Sequence, residues 1–237
     1  MEKELAARFI AKRIAGDLKP GYLVNLGVGL PTAVSDYVTE DMDVLMHGEN
    51  GVIGLGKTAF DIIKKTEGKD KKLVVQDDLV INAGATKAGI SKGASFFDSA
   101  TSFGLIRGGH VDVTVLGTME VDEEGNIANY MIPGKRVNGM GGAMDLCTGA
   151  KRVFVATYHT SGDSPKILKK CRLPLTAKYA VDTIYTEMGV FDVTDLGIRL
   201  REYNPEYTLD EIQAATEAKL IIDENVTTTP THYFENL

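Results

Sequence analysis

A single carboxylate followed by glycines is the strongest candidate for chemistry in this sequence. Residues 46–56 read Met-His-Gly-Glu-Asn-Gly-Val-Ile-Gly-Leu-Gly, and the carboxylate is Glu49. The apolar run at 43–46 predicts a short buried strand just before it. A side chain placed where a strand gives way to a glycine-rich turn is presented at the rim of a sheet, and backbone can approach it closely because glycine has no Cβ. Glu49 is therefore the candidate catalytic residue, with Asn50 and Gly51 beside it; for the tripeptide alone, a surface turn is the commoner explanation.

Two further glycine-rich loops offer backbone groups to a ligand: Gly27, Val28, Gly29, Leu30 and Pro31 in the first, and Gly141, Gly142 and Ala143 in the second. The first resembles the opening of a dinucleotide fingerprint, but Thr32 stands where the third glycine belongs. Its amides still favour an anionic or carbonyl-bearing ligand, and a tight strand-to-helix connection explains it equally well. In the second loop, backbone N–H groups could form an oxyanion site, or a flat thioester could lie close.

Three other polar stretches are weaker candidates. Asp98, Ser99 and Ser102 have no histidine near them in sequence, so a serine nucleophile is disfavoured and a helix packed through its phenylalanines is the better interpretation. The acidic run at 120–126 predicts a solvated hairpin. The basic pair at 135–136 could meet phosphates or simply be solvated.

Composition excludes several classes of protein. The chain has 237 residues, 43% of them hydrophobic, with a net charge of -7, which argues against a nucleic-acid partner. No apolar run approaches the roughly 18 residues that span a bilayer, and the N-terminus lacks a secretory layout. Cys147 and Cys171 are too few for a disulfide scaffold, so a cytoplasmic location is expected. The four histidines are scattered without ligand spacing, so no metal site is expected.

The pattern of elements predicts an α/β domain with a mainly parallel sheet, since strands alternate with helices over the first two-thirds of the chain. Predicted helices cover 2–18, 33–38, 57–65, 96–106 and 208–218. Predicted strands cover 22–26, 43–46, 73–75, 111–116, 153–156, 183–185, 190–193, 198–203 and 219–222. We expect one domain over 1–225 and a flexible tail over 226–237. Ligands bind beyond the carboxyl ends of such strands, so the glycine-rich stretches are expected to converge on one rim.

Several separate motifs stand in an order that resembles the B (beta) subunit of the family I coenzyme A transferases, a group that includes the acetate/butyrate–acetoacetate type. The resemblance covers nearly the whole chain through the segments 23–31, 49–51, 96–99, 106–112, 133–135, 139–146 and 173–176. In that family the signature is usually Ser-Glu-Asn-Gly, and Gly48 departs from it. The segment 57–92 matches that family poorly, so the resemblance does not indicate which carboxylic acid is the preferred substrate.

The resemblance implies an open α/β/α sandwich with an active site shared with an A (alpha) subunit, in a hetero-oligomer such as A2B2. It implies that Glu49 is the nucleophile in ping-pong transfer of coenzyme A between a short-chain acyl-CoA and a free acid, through a glutamyl-CoA thioester. No cofactor is expected beyond coenzyme A as substrate. The alternatives are a nicotinamide-dependent oxidoreductase, a sugar-phosphate isomerase with Glu49 as general base, and a non-catalytic partner of an A subunit.

Overall fold

A computed structural model describes residues 1–58, 80–85, 87–235 and 237. The α-helices of the described residues are α1 (Lys3–Ala15), α2 (Ser99–Arg107), α3 (Ala143–Gly149) and α4 (Leu209–Ala214). Short 3-10 helices cover Leu30–Tyr37, Glu40–Met42 and Thr231–Tyr233. None of the helices in these ranges combines the length and the hydropathy needed to cross a membrane.

The strands of the described residues, numbered in chain order, fall into one large sheet and three small ones. They are β1 (Leu23–Leu26), β2 (Leu45–Gly48), β3 (Val52–Thr58), β4 (Ala88–Phe96), β5 (Val113–Leu116), β6 (Glu120–Asp122), β7 (Ile127–Ala128), β8 (Met131–Ile132), β9 (Arg136–Val137), β10 (Arg152–Ala156), β11 (Thr160–Ser161), β12 (Ser164–Pro165), β13 (Ile167–Leu168), β14 (Thr183–Tyr185), β15 (Gly189–Thr194), β16 (Gly197–Tyr203) and β17 (Ile221–Thr228).

The large sheet has ten strands in the order β17-β16-β15-β14-β10-β5-β1-β2-β3-β4. Its central strands β14, β10, β5, β1 and β2 are parallel to one another. The hairpins β2–β3–β4 on one side and β14–β15–β16 on the other add antiparallel strands, and β17 lies parallel to β16 at the edge. The prediction of a mainly parallel sheet is confirmed for the centre, where the carboxyl ends of adjacent strands share one rim.

Helices cover both faces of this sheet. On one face, Phe9 of α1 packs in a buried cluster with Val113 of β5. On the other, Ile106 of α2 and Leu146 of α3 pack with Val153 of β10. The α/β/α sandwich is therefore confirmed. Burial of apolar side chains on both faces explains why the central strands read as short, nearly continuous hydrophobic runs.

Some predicted element boundaries were wrong. Phe96 ends β4, and α2 begins at Ser99 because the Asp98 carboxylate caps it, accepting a hydrogen bond of 2.7 Å from the Thr101 N–H. The helix predicted over 57–65 is contradicted at 57–58, which complete β3, and its remainder lies outside the described residues, as does the strand predicted at 73–75.

The C-terminal helix and the segment after it also differ from expectation. The capping box at Thr208 and Glu211 is present, but α4 ends at Ala214 rather than near 218. The segment from 226 onward was predicted to be a flexible tail, yet β17 runs through 228 as a strand of the large sheet. After β17, the Phe234 ring stacks on Phe9 of α1 with centroids 4.8 Å apart, so apolar contact holds the C-terminal segment against α1.

The acidic run at 120–126 forms the predicted hairpin, but it is not a solvated one. Asp122 is only 1% exposed. Its Oδ1 accepts hydrogen bonds of 3.1 Å from the backbone N–H groups of Glu124 and Asn126, and its Oδ2 accepts one of 2.9 Å from the N–H of Cys171. The carboxylate therefore organises the turn and attaches it to the following segment, which is a structural role.

Candidate active site

Glu49 lies on the tight turn between β2 and β3, at the carboxyl end of a central parallel strand. β2 ends at Gly48, and the N–H of Gly51 donates to the Gly48 carbonyl at 2.9 Å to close the turn. Gly51 has φ +114°, and a Cβ there would stand 2.0 Å from the Phe97 carbonyl oxygen. Only glycine fits, because both the conformation and the close approach exclude a side chain. The turn thus presents a half-buried Glu49 at the rim, as the sequence predicts.

A buried amide from the neighbouring strand holds the Glu49 carboxylate. Asn25 of β1 is fully buried, and its Nδ2 donates to Glu49 Oε2 at 2.9 Å. Asn25 is in register with His47 of β2, so the strand pairing itself sets this contact. Position 48 carries no hydroxyl, and the Asn25 amide is the side-chain donor that the structure places on the carboxylate.

His47 and Ser102 lie beneath this amide. His47 is 2% exposed and Ser102 is fully buried, and His47 Nε2 is 2.9 Å from Ser102 Oγ. His47 Nδ1 is 3.3 Å from Asn25 Nδ2. Burial lowers the pKa of His47 to about 4, so the ring is neutral at pH 7. A histidine therefore does lie beside Ser102 in space, although none is near it in sequence, and the serine hydroxyl is enclosed.

The loop at 139–145 reaches Glu49 from the opposite layer. A Cβ on Gly142 would contact Glu49 Cγ at 3.4 Å and the Phe103 ring at the same distance. Gly142 is buried at the start of α3, whereas Gly141 is exposed with φ +52°. The N–H of Ala143 already donates to the Met140 carbonyl at 3.1 Å.

The loop at 27–31 borders the same rim. The N–H of Gly27 donates to the Val115 carbonyl of β5 at 2.8 Å, and Thr32 Oγ1 donates to the Gly27 carbonyl at 3.1 Å. Val28 is 67% exposed. A small cavity lies between Leu26 and Thr32, which flank this loop, and Gly48, which precedes Glu49; its lining also includes His47, Leu55 and Asn82.

The turn at 48–51 and the loop at 139–145 therefore meet at Glu49, and the loop at 27–31 follows the adjacent strand β1 on the same rim; their roles in binding stay predictions. Asn25, His47 and Ser102 were not identified as functional from the sequence. A polar residue inside the short apolar run 23–26 is the signal that could have found Asn25. Nothing in the sequence pairs it with His47, because that pairing depends on strand order and register.

The cysteines and the remaining candidates show no catalytic geometry. Burial raises the pKa of the Cys147 thiol to about 12, and burial together with nearby acids raises that of Cys171. Neither sulfur is therefore an activated nucleophile. Arg136 of the exposed hairpin β8–β9 donates to Asn138 Oδ1 at 2.6 Å. Within the described ranges, no three His, Cys, Asp or Glu side chains gather as a metal site.

Comparison with known proteins identifies the family. The sequence profile of the family described as coenzyme A transferase matches residues 8–215. This chain belongs to the coenzyme A transferase family. It is 50% identical over 218 residues to the acetate CoA-transferase subunit beta of Haemophilus influenzae, covering 92% of each chain. It is 44% identical to the protein of the same name in Escherichia coli, covering 94% of this chain and 97% of the relative.

Solved coenzyme A transferase structures share the fold. An acyl-CoA transferase apoenzyme from Escherichia coli O157:H7 superposes with a TM-score of 0.74 at 19% identity over the whole of this chain. The chain spans about half of that larger one, 46% of its length. The dinucleotide-binding alternative requires an α-helix directly after the loop at 27–31. A 3-10 helix, Leu30–Tyr37, follows Gly29 instead, which counts against that alternative.

Proposed function

We propose that this chain is the beta subunit of an enzyme that moves coenzyme A between a short-chain acyl-CoA and a free carboxylic acid of the acetate, butyrate or 3-oxoacid type. The observation that carries the proposal is the Glu49 carboxylate, half-buried at the rim, held by Asn25 at 2.9 Å and facing a glycine backbone. Such a carboxylate is fixed in orientation and open on the side where a thioester could approach. The names of the beta-subunit relatives support the same conclusion.

The chemistry proceeds by covalent catalysis. A Glu49 oxygen attacks the thioester carbonyl carbon and forms a C–O bond. The C–S bond of the resulting tetrahedral intermediate then breaks, so that coenzyme A leaves as thiolate and a mixed anhydride of Glu49 and the acyl group remains. The thiolate then attacks the Glu49 carbonyl carbon of that anhydride and expels the first acid as carboxylate. The resulting glutamyl-CoA thioester reacts with the second acid by the same steps in reverse. The net reaction needs no redox or metal cofactor, and its kinetics are ping-pong.

Backbone donors would stabilise the tetrahedral oxyanions. Since the Ala143 N–H is bonded to Met140, the N–H groups of Gly141 and Gly142 are the better candidates in that loop. Loss of one such donor typically costs about a hundred- to a thousandfold in rate. The loop at 27–31 and the backbone at Asn50 and Gly51 would flank the thioester end of the substrate.

An A (alpha) subunit is the proposed partner, in an assembly such as A2B2 in the cytoplasm; neither nucleic acid nor membrane is a proposed partner. Four large apolar side chains in or close in sequence to the segments around Glu49 are exposed: Val28 after β1 (67%), Phe96 at the end of β4 (59%), Val137 of β9 (72%) and Met144 of α3 (46%). Exposed apolar side chains are typical of a surface that a protein covers when they form a patch. The A subunit would cover this rim and complete the site.

The test is trapping of the thioester. The chain, assembled with its A subunit, is incubated with acyl-CoA without acceptor and reduced with borohydride. The peptide containing Glu49 should lose the mass that separates a carboxylic acid from the corresponding alcohol. Glu49→Ala should abolish both the trapped species and transfer; transfer at near the wild-type rate in Glu49→Ala would refute the mechanism.

A further inference from the structure

Three buried polar side chains from three elements form a column under Glu49. Asn25 comes from β1, His47 from β2 and Ser102 from α2, and they are 0%, 2% and 0% exposed. Buried polar groups are costly unless they are hydrogen-bonded. The column is joined by contacts of 3.3 Å between Asn25 Nδ2 and His47 Nδ1 and 2.9 Å between His47 Nε2 and Ser102 Oγ.

The hydrogen-bond roles within the column follow from Glu49. An ionised carboxylate only accepts, so the NH2 group of Asn25 must face it. One N–H points to Glu49 Oε2 at 2.9 Å, and the other is shared by the His47 carbonyl oxygen and His47 Nδ1, each 3.3 Å from Nδ2. On the other side of the amide, Oδ1 has no hydrogen-bond partner among the described residues. The carboxamide is thus held only through its nitrogen.

The tautomer of His47 follows in turn. Because Nδ1 accepts from Asn25, the single proton of the neutral ring is on Nε2, which donates to Ser102 Oγ. The Phe97 ring stacks on the imidazole with centroids 6.4 Å apart and an angle of 15° between the planes. Burial lowers the pKa of His47 to about 4, which keeps this neutral form at pH 7. The ring is therefore fixed in position, tautomer and charge.

We propose that His47 is a positioning residue, which holds the Asn25 carboxamide toward residue 49 throughout turnover, with Ser102 fixing the His47 tautomer. The inference rests on the proposed function of Glu49. When Glu49 is ionised, the carboxylate itself helps to orient Asn25. When Glu49 is in the anhydride or thioester, it is uncharged and a weaker acceptor. His47 then supplies the side-chain acceptor that keeps Asn25 in place.

The expected effect is on turnover rather than on substrate binding. His47→Leu removes the side-chain acceptor and keeps most of the volume, but the main-chain carbonyl of residue 47 remains. We therefore expect kcat of the assembled enzyme to fall by about tenfold, at the lower end of the 10- to 100-fold loss that follows removal of the hydrogen-bond partners that orient metal ligands. The KM for acyl-CoA should change less than about threefold. His47→Gln restores an amide oxygen as acceptor and should recover most of kcat.

His159 provides a matched control. It is also fully buried, and its ring nitrogens are 3.0 Å from Thr186 Oγ1 and 2.8 Å from Thr216 Oγ1. Burial lowers its pKa to about 4 as well. His159→Leu should lower the melting temperature but leave kcat within about twofold. Equal losses of kcat in His47→Leu and His159→Leu would show a general structural effect and overturn the inference.

Two measurements keep the inference testable if His47→Leu does not fold. Ser102→Ala is a small change, and it should lower kcat about threefold by releasing the tautomer; an unchanged kcat in Ser102→Ala would count against the inference. Nitrogen-15 NMR of the wild-type assembly should show His47 neutral and protonated on Nε2, and protonation on Nδ1 would overturn it.

The proposed function and this inference fail in different ways. If borohydride traps nothing at Glu49 in the wild type, the proposed function fails. In that case the nitrogen-15 NMR spectrum of the wild type still tests the His47 tautomer, on which the hydrogen bond to Asn25 depends. If the wild type is trapped at Glu49 and His47→Leu turns over at the wild-type rate, the proposed function stands and the role of His47 is refuted.

Discussion

At the scale of single residues, the neutrality of Asn25 is as important as its shape. Asn25→Asp would put a second carboxylate at the 2.9 Å now spanned by the hydrogen bond to Glu49. At that distance the two carboxylates repel each other, which raises the pKa of one of them and favours its protonated form. Because Glu49 must be ionised to attack, kcat at pH 7 should fall by on the order of a hundredfold, as for other lost charge-stabilising contacts, with partial recovery as pH rises. Initial rates of the assembled enzyme across pH measure this.

The hairpin β6–β7 contains a control for that substitution. Asn126 is 5% exposed, and its Nδ2 donates to the carboxylate of Asp122 at 3.0 Å. Asn126→Asp therefore makes the same chemical change in the same kind of pair, away from Glu49. It should reduce stability while kcat at pH 7 changes little. If Asn126→Asp loses as much activity as Asn25→Asp, the loss reflects folding and not the ionisation of Glu49.

At the scale of elements, Gly48 affects the turn more than it affects the carboxylate. A Cβ at position 48 would lie 2.6 Å from Asn50 Oδ1 and 3.0 Å from Leu55 Cδ1, both ends of flexible side chains. Asn50 Nδ2 donates to the Ile81 carbonyl at 2.8 Å, which ties the turn to the segment 80–85. The added side chain in Gly48→Ser would displace Asn50 and break its hydrogen bond to the Ile81 carbonyl. We expect kcat to stay within about tenfold of wild type, since Asn25 still orients Glu49 and one hydrogen bond contributes only about 1 kcal/mol.

Hydrogen exchange can test the consequence for the segment 80–85. Gly48→Ser should increase exchange there, and Asn50→Ala, which removes the same hydrogen bond without adding a side chain, should increase it to a similar extent. A loss of kcat beyond a hundredfold in Gly48→Ser, with unchanged exchange at 80–85, would contradict this account and would mean that the added hydroxyl acts on Glu49 directly.

The elements also show what sequence reasoning could recover. Apolar runs identified the central strands, because strands buried on both faces leave a local pattern. Glu49 was identified because the glycines that follow it predict the turn on which it lies. The strands of the β14–β15–β16 hairpins were predicted at 183–185, 190–193 and 198–203, whereas β3 and β4 were missed, since residues such as 57–58 carry no local sign of strand pairing. The contact of Asn25 with His47 depends on the register of β1 and β2. The contact of His47 with Ser102 depends on the packing of α2, since Ser102 is 55 residues further along the chain. No local sequence pattern encodes either contact.

At the scale of the whole molecule, a buried ion pair links helix α1 to β16, which lies next to the edge strand β17 of the large sheet. Arg13 of α1 binds both oxygens of Glu202 of β16, with contacts of 2.6 and 3.0 Å. Removing one partner of such a pair leaves a buried charge, typically at a cost of about 3–5 kcal/mol. Arg13 keeps Asp17 at 2.7 Å, so Glu202→Gln should cost near the lower limit, about 3 kcal/mol. Glu4→Gln, which breaks the exposed Arg8–Glu4 pair, should cost about 0–1 kcal/mol.

Urea unfolding compares the two ion-pair substitutions directly. If Glu202→Gln is no more destabilising than Glu4→Gln, α1 is not fastened to the sheet by this pair, and the apolar contacts of Phe9 and its neighbours hold it alone.

Stability of the whole chain should also depend on pH through its two buried histidines. Burial lowers the pKa of His47 and of His159 from 6.5 to about 4. Between those values the unfolded chain binds more protons than the folded one, so the stability from each neutral histidine is complete above pH 6.5 and is lost as pH falls toward 4. From pH 7 to pH 5 each should remove about 2 kcal/mol from the free energy of unfolding. Burial raises the pKa of Glu187 and of Asp182, so protonation of these carboxyl groups stabilises the folded chain as pH falls, opposite to the effect of the histidines. This opposing effect lies nearer pH 4, and the histidines dominate between pH 5 and pH 7.

Urea unfolding of the purified chain at pH 7, 6 and 5 measures this slope. His159→Gln cannot take up a proton, so it should lower stability at pH 7, where a well-packed imidazole is lost, but flatten the decline toward pH 5 by about half. His47→Gln combined with His159→Gln should remove most of the decline. A slope that persists unchanged in the double variant would mean that neither imidazole is kept neutral by burial, and the fixed Nε2 tautomer assigned to His47 would lose its physical basis with it.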